Sequence, residues 1–260
     1  MNSFERRNTI VDMVNSSGSQ LVNDIAASLG VTEVTVRADL RLLEERGLLT
    51  RFHGGAARID SGSVPDEPPA DAEVSLNDRY QLAADPKRRI AQAAARLVKE
   101  GDTLILDSGS TTKLLAEALV TMKNITVITN SLPAAAILID NTDITLVVCG
   151  GTVRHKTASL HGNIAEAALR DVSANLMFVG ADGLDCDNGI TTFNEGYAIS
   201  AVMAAAAQQV VVVTDSSKFG RKGFNLVLAM EKIDQVITDQ QAPEETVAAL
   251  RAKGKTVILA

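Results

Sequence analysis

Ser108-Gly109-Ser110-Thr111-Thr112 is the stretch best equipped to hold an anion. It follows the apolar run Thr103-Leu104-Ile105-Leu106-Asp107 and precedes a helical pattern from Leu114 to Leu119, so a buried strand delivers it to a helix N-terminus. Backbone N–H groups at such a terminus attract phosphate, and Ser110, Thr111 and Thr112 add hydroxyl donors. Capping of the helix by the same hydroxyls is the simpler role. The chain has no GxxxxGK[ST] and no GxGxxG, which withdraws support from ATP and dinucleotides. Further on, Leu176-Met177-Phe178-Val179-Gly180-Ala181-Asp182-Gly183-Leu184-Asp185 sets two carboxylates, Asp182 and Asp185, beyond a strand's C-terminal end, where α/β sheets place ligands. Both could accept sugar hydroxyls. Glu195 and Lys218 follow other strand ends and could complete the pocket, and Gly150 and Gly151 would let a ligand approach closely. Turn formation is the plain alternative for each of them.

A second set of residues suits nucleic acid. A helical pattern from Glu33 to Arg46 buries Val36, Leu40 and Leu43 on one face, which turns Val34, Arg37, Ala38 and Arg41 to the opposite one. Arg37 can reach guanine O6 and N7 or a phosphate, Thr35 a phosphate, and Val34 or Ala38 a thymine methyl. A solvated helix face, with Glu44 and Glu45 pairing the arginines, would read the same way. The surrounding elements decide between the two. A first helix from Ser3 to Asn15 carries Arg6 and Arg7 near an exposed start and an apolar stripe of Ile10, Met13 and Val14. A second runs from Leu21 to Leu29, and Gly30-Val31-Thr32 supplies a tight turn with Thr32 as N-cap of the third. Leu48 to Ala57 then alternates into a Gly54-Gly55 turn, a two-stranded wing that sets Arg51 and His53 beside a phosphate backbone. Helix, turn, helix, capped helix and wing within one short segment predict a winged helix-turn-helix that binds double-stranded DNA.

The rest of the chain must position these two sets. Its 260 residues, 46% hydrophobic with no Trp, suit soluble domains cored by Ala, Val, Ile and Leu. No apolar run reaches the ~18 residues of a membrane span, and the start reads as no signal peptide, so a cytoplasmic protein without membrane contact is expected. Net charge is −7, and residues 1–60 hold seven Arg against eight Asp and Glu, so bulk charge does not announce nucleic acid. Cys149 and Cys186 lack a CxxC partner and read as reduced. His155 and His161 lack a ligand cluster, so neither metal nor cofactor is expected. Arg154-His155-Lys156 fits a solvated loop, a lid or a subunit contact equally well. Ser61 to Ser75 contains three of the six prolines, no cation and no apolar period. The expected domains are therefore 1–58, a linker 59–76, and 77–260, the last an α/β domain with a mostly parallel sheet because strand-like and Ala-rich helical runs alternate.

Val34-Thr35-Val36-Arg37-Ala38-Asp39-Leu40-Arg41-Leu42-Leu43-Glu44 and Arg51-Phe52-His53-Gly54-Gly55-Ala56 resemble the DeoR-type repressors, over nearly the whole chain. Met1 to Asn8 and the wing are most similar to repressors of galactitol-type operons. The later segments resemble ribose 5-phosphate isomerase: the Gly-Ser-Thr loop, Gly180 to Asp185, a later Glu195, and Asp215-Ser216-Ser217-Lys218. These likenesses imply a homo-oligomeric repressor of a carbohydrate operon, released from its operator by a phosphorylated sugar or sugar alcohol. The isomerase likeness also raises an enzyme with Glu195 as base. Against it, Asp187 to Thr192 has no Lys where the isomerases carry one, so an enediolate would be poorly stabilised there.

Overall fold

The computed structural model describes residues 3–45, 48–52, 54–57, 76, 79, 82–192, 199–223 and 225–260. The chain divides into two units, Met1–Glu67 and Pro68–Ala260, so the break falls inside the Pro-rich stretch.

In the N-terminal unit, α1 (Ser3–Ser17), α2 (Val22–Leu29) and α3 (Glu33–Glu45) pack their stripes together. Ile10, Val14, Val22, Ile25, Val36, Leu40 and Leu43 are buried, joined by Leu49 and Ala56 of the wing. Gly30 closes α2 at φ +63°, a left-handed conformation that favours glycine, and its N–H returns to Ala26 O. Thr32 Oγ1 then accepts from Thr35 N at 3.3 Å, which is the predicted cap. The wing has three strands where the sequence suggested two: β1 (Ser19–Leu21) pairs antiparallel with β3 (Gly55–Ala57), which pairs with β2 (Thr50–Phe52). Leu21, expected to open the second helix, therefore belongs to a strand and is half exposed, and Val22 opens the helix and is buried.

The C-terminal unit is a doubly wound α/β fold. Its helices are α4 (Ala84–Ala95), α5 (Ser110–Leu119), α6 (Leu132–Leu138), α7 (Asn163–Ala167), α8 (Ile199–Ala205) and α9 (Glu244–Ala252). The main strands are β4 (Thr103–Leu106), β5 (Ile125–Thr129), β6 (Ile144–Val148), β9 (Ala174–Val179), β12 (Ala207–Val213), β14 (Gln235–Thr238) and β15 (Thr256–Leu259). They form one sheet in the order β15-β14-β12-β9-β4-β5-β6, every neighbouring pair parallel. Successive side chains point to opposite faces: Leu104, Leu106, Leu176 and Phe178 meet α4, α5 and α6, whereas Ile105, Met177 and Val179 meet α7, α8 and α9. A hairpin of β7 (Thr152–Arg154) and β8 (Ser159–His161), and an antiparallel sheet of β10 (Gly183–Asp185), β11 (Gly189–Thr192) and β13 (Asn225–Ala229), complete the unit. From β4 the chain winds outward through β5 and β6, then returns to β9 on the other side. The order reverses between β4 and β9, and a parallel sheet opens its ligand crevice beyond the strand C-termini at such a reversal. Among the described residues no helix is long and apolar enough to cross a membrane, and no His, Cys, Asp and Glu cluster could hold a metal ion.

Candidate functional site

On α3 the predicted outer face is open. Val34 is 73% exposed, and Arg37, Ala38 and Arg41 are exposed beside it. Arg37 Nη2 lies 2.6 Å from Glu33 Oε2, one turn earlier, and Arg51 Nη1 lies 3.5 Å from Glu44 Oε2. These are solvent-facing pairs worth ~0.2–1 kcal/mol, readily exchanged for a phosphate or a base edge. Arg6 is placed differently from the exposed start expected of it. Its Nε donates to Asp39 Oδ2 at 2.6 Å, and Arg7 Nε donates to Oδ1 at 2.7 Å, binding α1 to the inner side of α3. Asp39 is only 2% exposed. Burial pushes its carboxyl up, but the hydrogen bonds and charges of the two arginines outweigh that and hold it below the usual carboxylate range. A buried carboxylate in the middle of α3 demands cations, and α1 supplies both. His53 lies outside the described residues.

At the reversal of strand order, the ends of β4 and β9 open into a cavity of about 240 Å³. Asp107, Ser108, Gly180, Ala181 and Asp182 line it from the two strands, with Arg79, Thr157, His161, Thr191 and Ser200 around them. A narrower recess adjoins it through Arg79, Gly180 and Ala181, walled by Gly109, Ser110 and Thr111 at the N-terminus of α5, and by Lys87, Asp215 and Lys218. A helix N-terminus, two hydroxyl-bearing residues, two lysines and Asp215 meet there in a volume of about 10 Å³, room for about one water, so a phosphate fits only where the walls move apart. The wider cavity offers carboxylates, hydroxyls and an imidazole, which suit a polyol.

The electrostatics follow from burial. Asp107, nearly inaccessible, is pushed up by loss of solvent, although Ser108 N donates to it at 2.7 Å and Ser200 Oγ also donates. Lys87 is 3% exposed, and burial lowers its ammonium to about 8 despite Asp215 nearby. Its Nζ donates to Leu82 O at 2.6 Å and Arg79 O at 2.8 Å, with Asp215 Oδ2 at 3.8 Å. Lys218 is lowered by burial too. Asp182 accepts Arg79 Nη2 at 2.9 Å and Thr192 Oγ1 at 2.7 Å. His161 is lowered by burial and by Arg154, and its Nε2 is 2.7 Å from Ser159 Oγ.

The structure thus brings Asp107, Ser108, Gly109, Ser110, Thr111, Asp182 and Lys218 together. Others expected there do different work. Thr112 Oγ1 donates back to Gly109 O at 3.1 Å within the first turn of α5. Asp185 accepts from Asp187 N at 3.0 Å and Asn188 N at 2.9 Å in the turn joining β10 to β11, outside the cavity. Those bonds, together with Lys222, take its carboxyl down to about 2. At Gly151 a side chain's Cβ would fall 2.4 Å from His161 O, and at Gly183 one would fall 2.2 Å from Arg221 O, so these glycines admit the chain's own backbone. At Gly150 a Cβ would meet only the side chain of Ile164, 3.2 Å away. Glu195 lies outside the described residues. Arg154, His155 and Lys156 end in the β7–β8 turn, where Arg154 Nη1 donates to Thr157 Oγ1 of the cavity wall at 3.3 Å.

Sequence reading missed Arg79, Lys87, His161 and Ser200. Only Lys87 gave a sign. It stands with Ile90, Ala91 and Ala94 in the buried stripe of α4, and a lysine in such a stripe needs a buried partner.

Comparison with known proteins agrees with this architecture. Residues 6–62 match the DeoR-like helix-turn-helix domain and residues 83–240 the DeoR C terminal sensor domain. A protein of Escherichia coli O157:H7 named for repression of the aga operon is 35% identical over 98% of this chain and 93% of its own length. The lactose phosphotransferase system repressor of Staphylococcus aureus strain N315 is 31% identical over 94% of this chain and 95% of its own. Among solved structures, ribose 5-phosphate isomerase A of Methanocaldococcus jannaschii aligns with 53% of this chain and 55% of its own, at 22% identity and a TM-score of 0.41. With both of its units matched and regulators as its near-full-length relatives, this chain belongs to the DeoR family of helix-turn-helix transcriptional repressors.

Proposed function

We propose that this protein represses an operon for use of a hexitol such as galactitol, and leaves its operator when a phosphorylated sugar or sugar alcohol fills the cavity beyond β4 and β9. The observation that carries the effector reading is the recess in which Ser110 and Thr111, at the head of α5, face Lys87 and Lys218. A phosphate there would take backbone N–H groups, hydroxyls and ammonium protons, and the sugar would extend toward Asp107 and Asp182. The names of relatives concerned with the aga operon and with a lactose phosphotransferase system support a carbohydrate role.

On the DNA side, Val34, Arg37, Ala38 and Arg41 read base edges, Thr32 and Thr35 meet phosphate at the head of α3, and Arg51 and His53 clamp the backbone from the wing. Arg6 contributes at the other edge, with Nε held by Asp39 and its terminal nitrogens turned to phosphate. One such reader buries too little to bind tightly alone, so the protein acts in the cytoplasm as a homo-oligomer on paired half-sites.

The test is a mobility shift with the purified protein and DNA upstream of its neighbouring operon, titrated with hexitol, hexose and ketose phosphates. One compound that frees the DNA supports effector class and coupling together. Binding that no compound relieves would remove the sensor assignment, and no binding at ~0.1 M salt would remove the reader.

A further inference from the structure

The seven-stranded sheet ends at β6, which pairs with β5 and, among the described residues, with no other strand. An open strand edge offers a row of backbone N–H and C=O groups to any passing strand, and native proteins blunt it with charge, proline or a bulge. β6 has none of these. Its register with β5 is unbroken from Ile144 to Val148, and the run Ile144-Thr145-Leu146-Val147-Val148-Cys149-Gly150-Gly151-Thr152-Val153 contains no charged residue. The opposite edge, β15, is by contrast led in by Lys253 and Lys255. Apolar side chains flank the open edge on both sides. Val147 and Val148 point to opposite faces and are both exposed, as is Val153. Ile139, just past the end of α6, is 68% exposed, and Ile164 of α7, beside Gly150, is 70% exposed. The two ends of β6 differ in charge. Asp140 and Asp143 stand at its entry, where Lys123 pairs with Asp143 at 2.9 Å, which leaves the entry acidic. Beyond its exit lies the β7–β8 turn with Arg154, His155 and Lys156. Leu132 N donates to Ala158 O at 3.0 Å and Leu160 N to Asn130 O at 2.8 Å, which fixes that hairpin directly after β5.

We propose that β6 is the contact between two copies of this chain: their open edges meet antiparallel about a two-fold axis and join the two sheets into one. This rests on the homo-oligomer reading above and says where the copies meet. A strand that meets its own copy about such an axis, edge to edge, runs antiparallel to it, so the acidic entry of each strand falls beside the cationic exit of the other. Both ends of the contact are complementary at once, whereas a parallel meeting would set like charge against like. The uncharged residues between them contribute backbone hydrogen bonds, and the exposed valines and isoleucines lose water on both faces of the joined sheet. Centred on Leu146, the pairing sets Thr145 opposite the partner subunit's Val147 and brings the two copies of Val147 diagonally within reach of long side chains.

The full chain, its Val147→Lys variant and its Val147→Glu variant are compared by sedimentation equilibrium at equal chain concentration, each alone and the two variants as an equimolar mixture. The wild-type chain should sediment as a dimer or a multiple of one, and each variant alone at half the wild-type mass, because like charges then meet across the axis. The mixture should return to the wild-type mass, which a folding defect in β6 would not allow. Melting of the sensor unit is checked for each variant. Thr145→Lys with Thr145→Glu, at a position already exposed to water, stands in if the valine variants do not fold. A variant that keeps the wild-type mass would overturn the interface and leave the homo-oligomer reading in place. Half-mass variants whose mixture stays at half mass would also overturn it, since the loss would not then come from charge meeting across the axis. A wild-type protein that sediments as a single chain would remove the homo-oligomer reading and the interface with it.

Discussion

Asp39→Asn is a direct way to ask what holds the DNA-reading unit together. Asparagine keeps the volume and one acceptor oxygen but removes the charge that two guanidiniums share at 2.6 and 2.7 Å. Hydrogen bonds to charged groups contribute ~1.5–3 kcal/mol each, and removing one partner of a buried pair costs ~3–5 kcal/mol. Here the carboxylate is buried while the arginine side chains are 16% and 31% exposed, so water recovers part of the loss. We expect about 2–3 kcal/mol. A unit of this size has only ~3–10 kcal/mol in total, and each kcal/mol moves its midpoint by ~4–8 °C. Calorimetry of the full chain at pH 7 should therefore show the DNA-reading transition falling by roughly 10–20 °C while the sensor transition stays in place. The pH dependence follows from the sign of the shift. The carboxyl titrates lower in the folded unit than in the unfolded chain, so its contribution is complete above the ordinary carboxylate range and is lost as pH falls through the folded value. The difference between variant and wild type should accordingly shrink at acid pH. A midpoint within 2 °C of wild type at pH 7, or a difference that persists unchanged below pH 3, would show that the pair does not hold α1 to α3.

Arg37→Ala should weaken specific operator binding by ~5- to 150-fold, the worth of one bidentate base contact, with sensor ligand affinity unchanged; a normal footprint would remove Arg37 from the reader. Affinity for a sugar phosphate should fall as pH rises through about 8, because Lys87 loses its proton there and with it the attraction for the anion. Calorimetric titration between pH 7 and 9.5 checks this, and a flat profile would exclude Lys87 as a phosphate partner. Gly189→Ala should destabilise the sensor by ~2–4 kcal/mol, since its φ of +112° is left-handed and the new Cβ would meet Leu228 O at 2.1 Å; an unchanged sensor melting point would contradict this packing.

Much of this was legible in the chain. Periodicity located all three helices of the reader and its exposed face, because one apolar stripe on a short helix leaves few alternatives for the opposite side. The strand-loop-helix at Thr103 to Leu119 was equally plain. What escaped notice depended on pairing across long separations. Ser19 to Leu21 is too short to announce a strand and becomes one only by pairing with Gly55 to Ala57. Arg6 and Arg7 looked like exposed cations because nothing local reveals that Asp39, 33 and 32 residues away, faces inward to meet them. Asp185 and the glycines at 150, 151 and 183 have compositions that serve turns and ligands alike, and only the fold assigns them to turns and close packing. Arg79 sits beside a Pro-rich stretch, where sequence gives no sign of tertiary contact.

The seam between β4 and β9 also bears on how the sensor assembles. The strands it joins are far apart along the chain: Thr103 N is satisfied by Asn175 Oδ1 across 72 residues. Parallel pairing at such separation is costly in loop closure, whereas β4-β5-β6 and β9-β12-β14-β15 each join strands nearer in sequence. The cavity has one wall from each winding, so it does not exist until they dock. Docking of the two windings therefore completes the sheet and the cavity together.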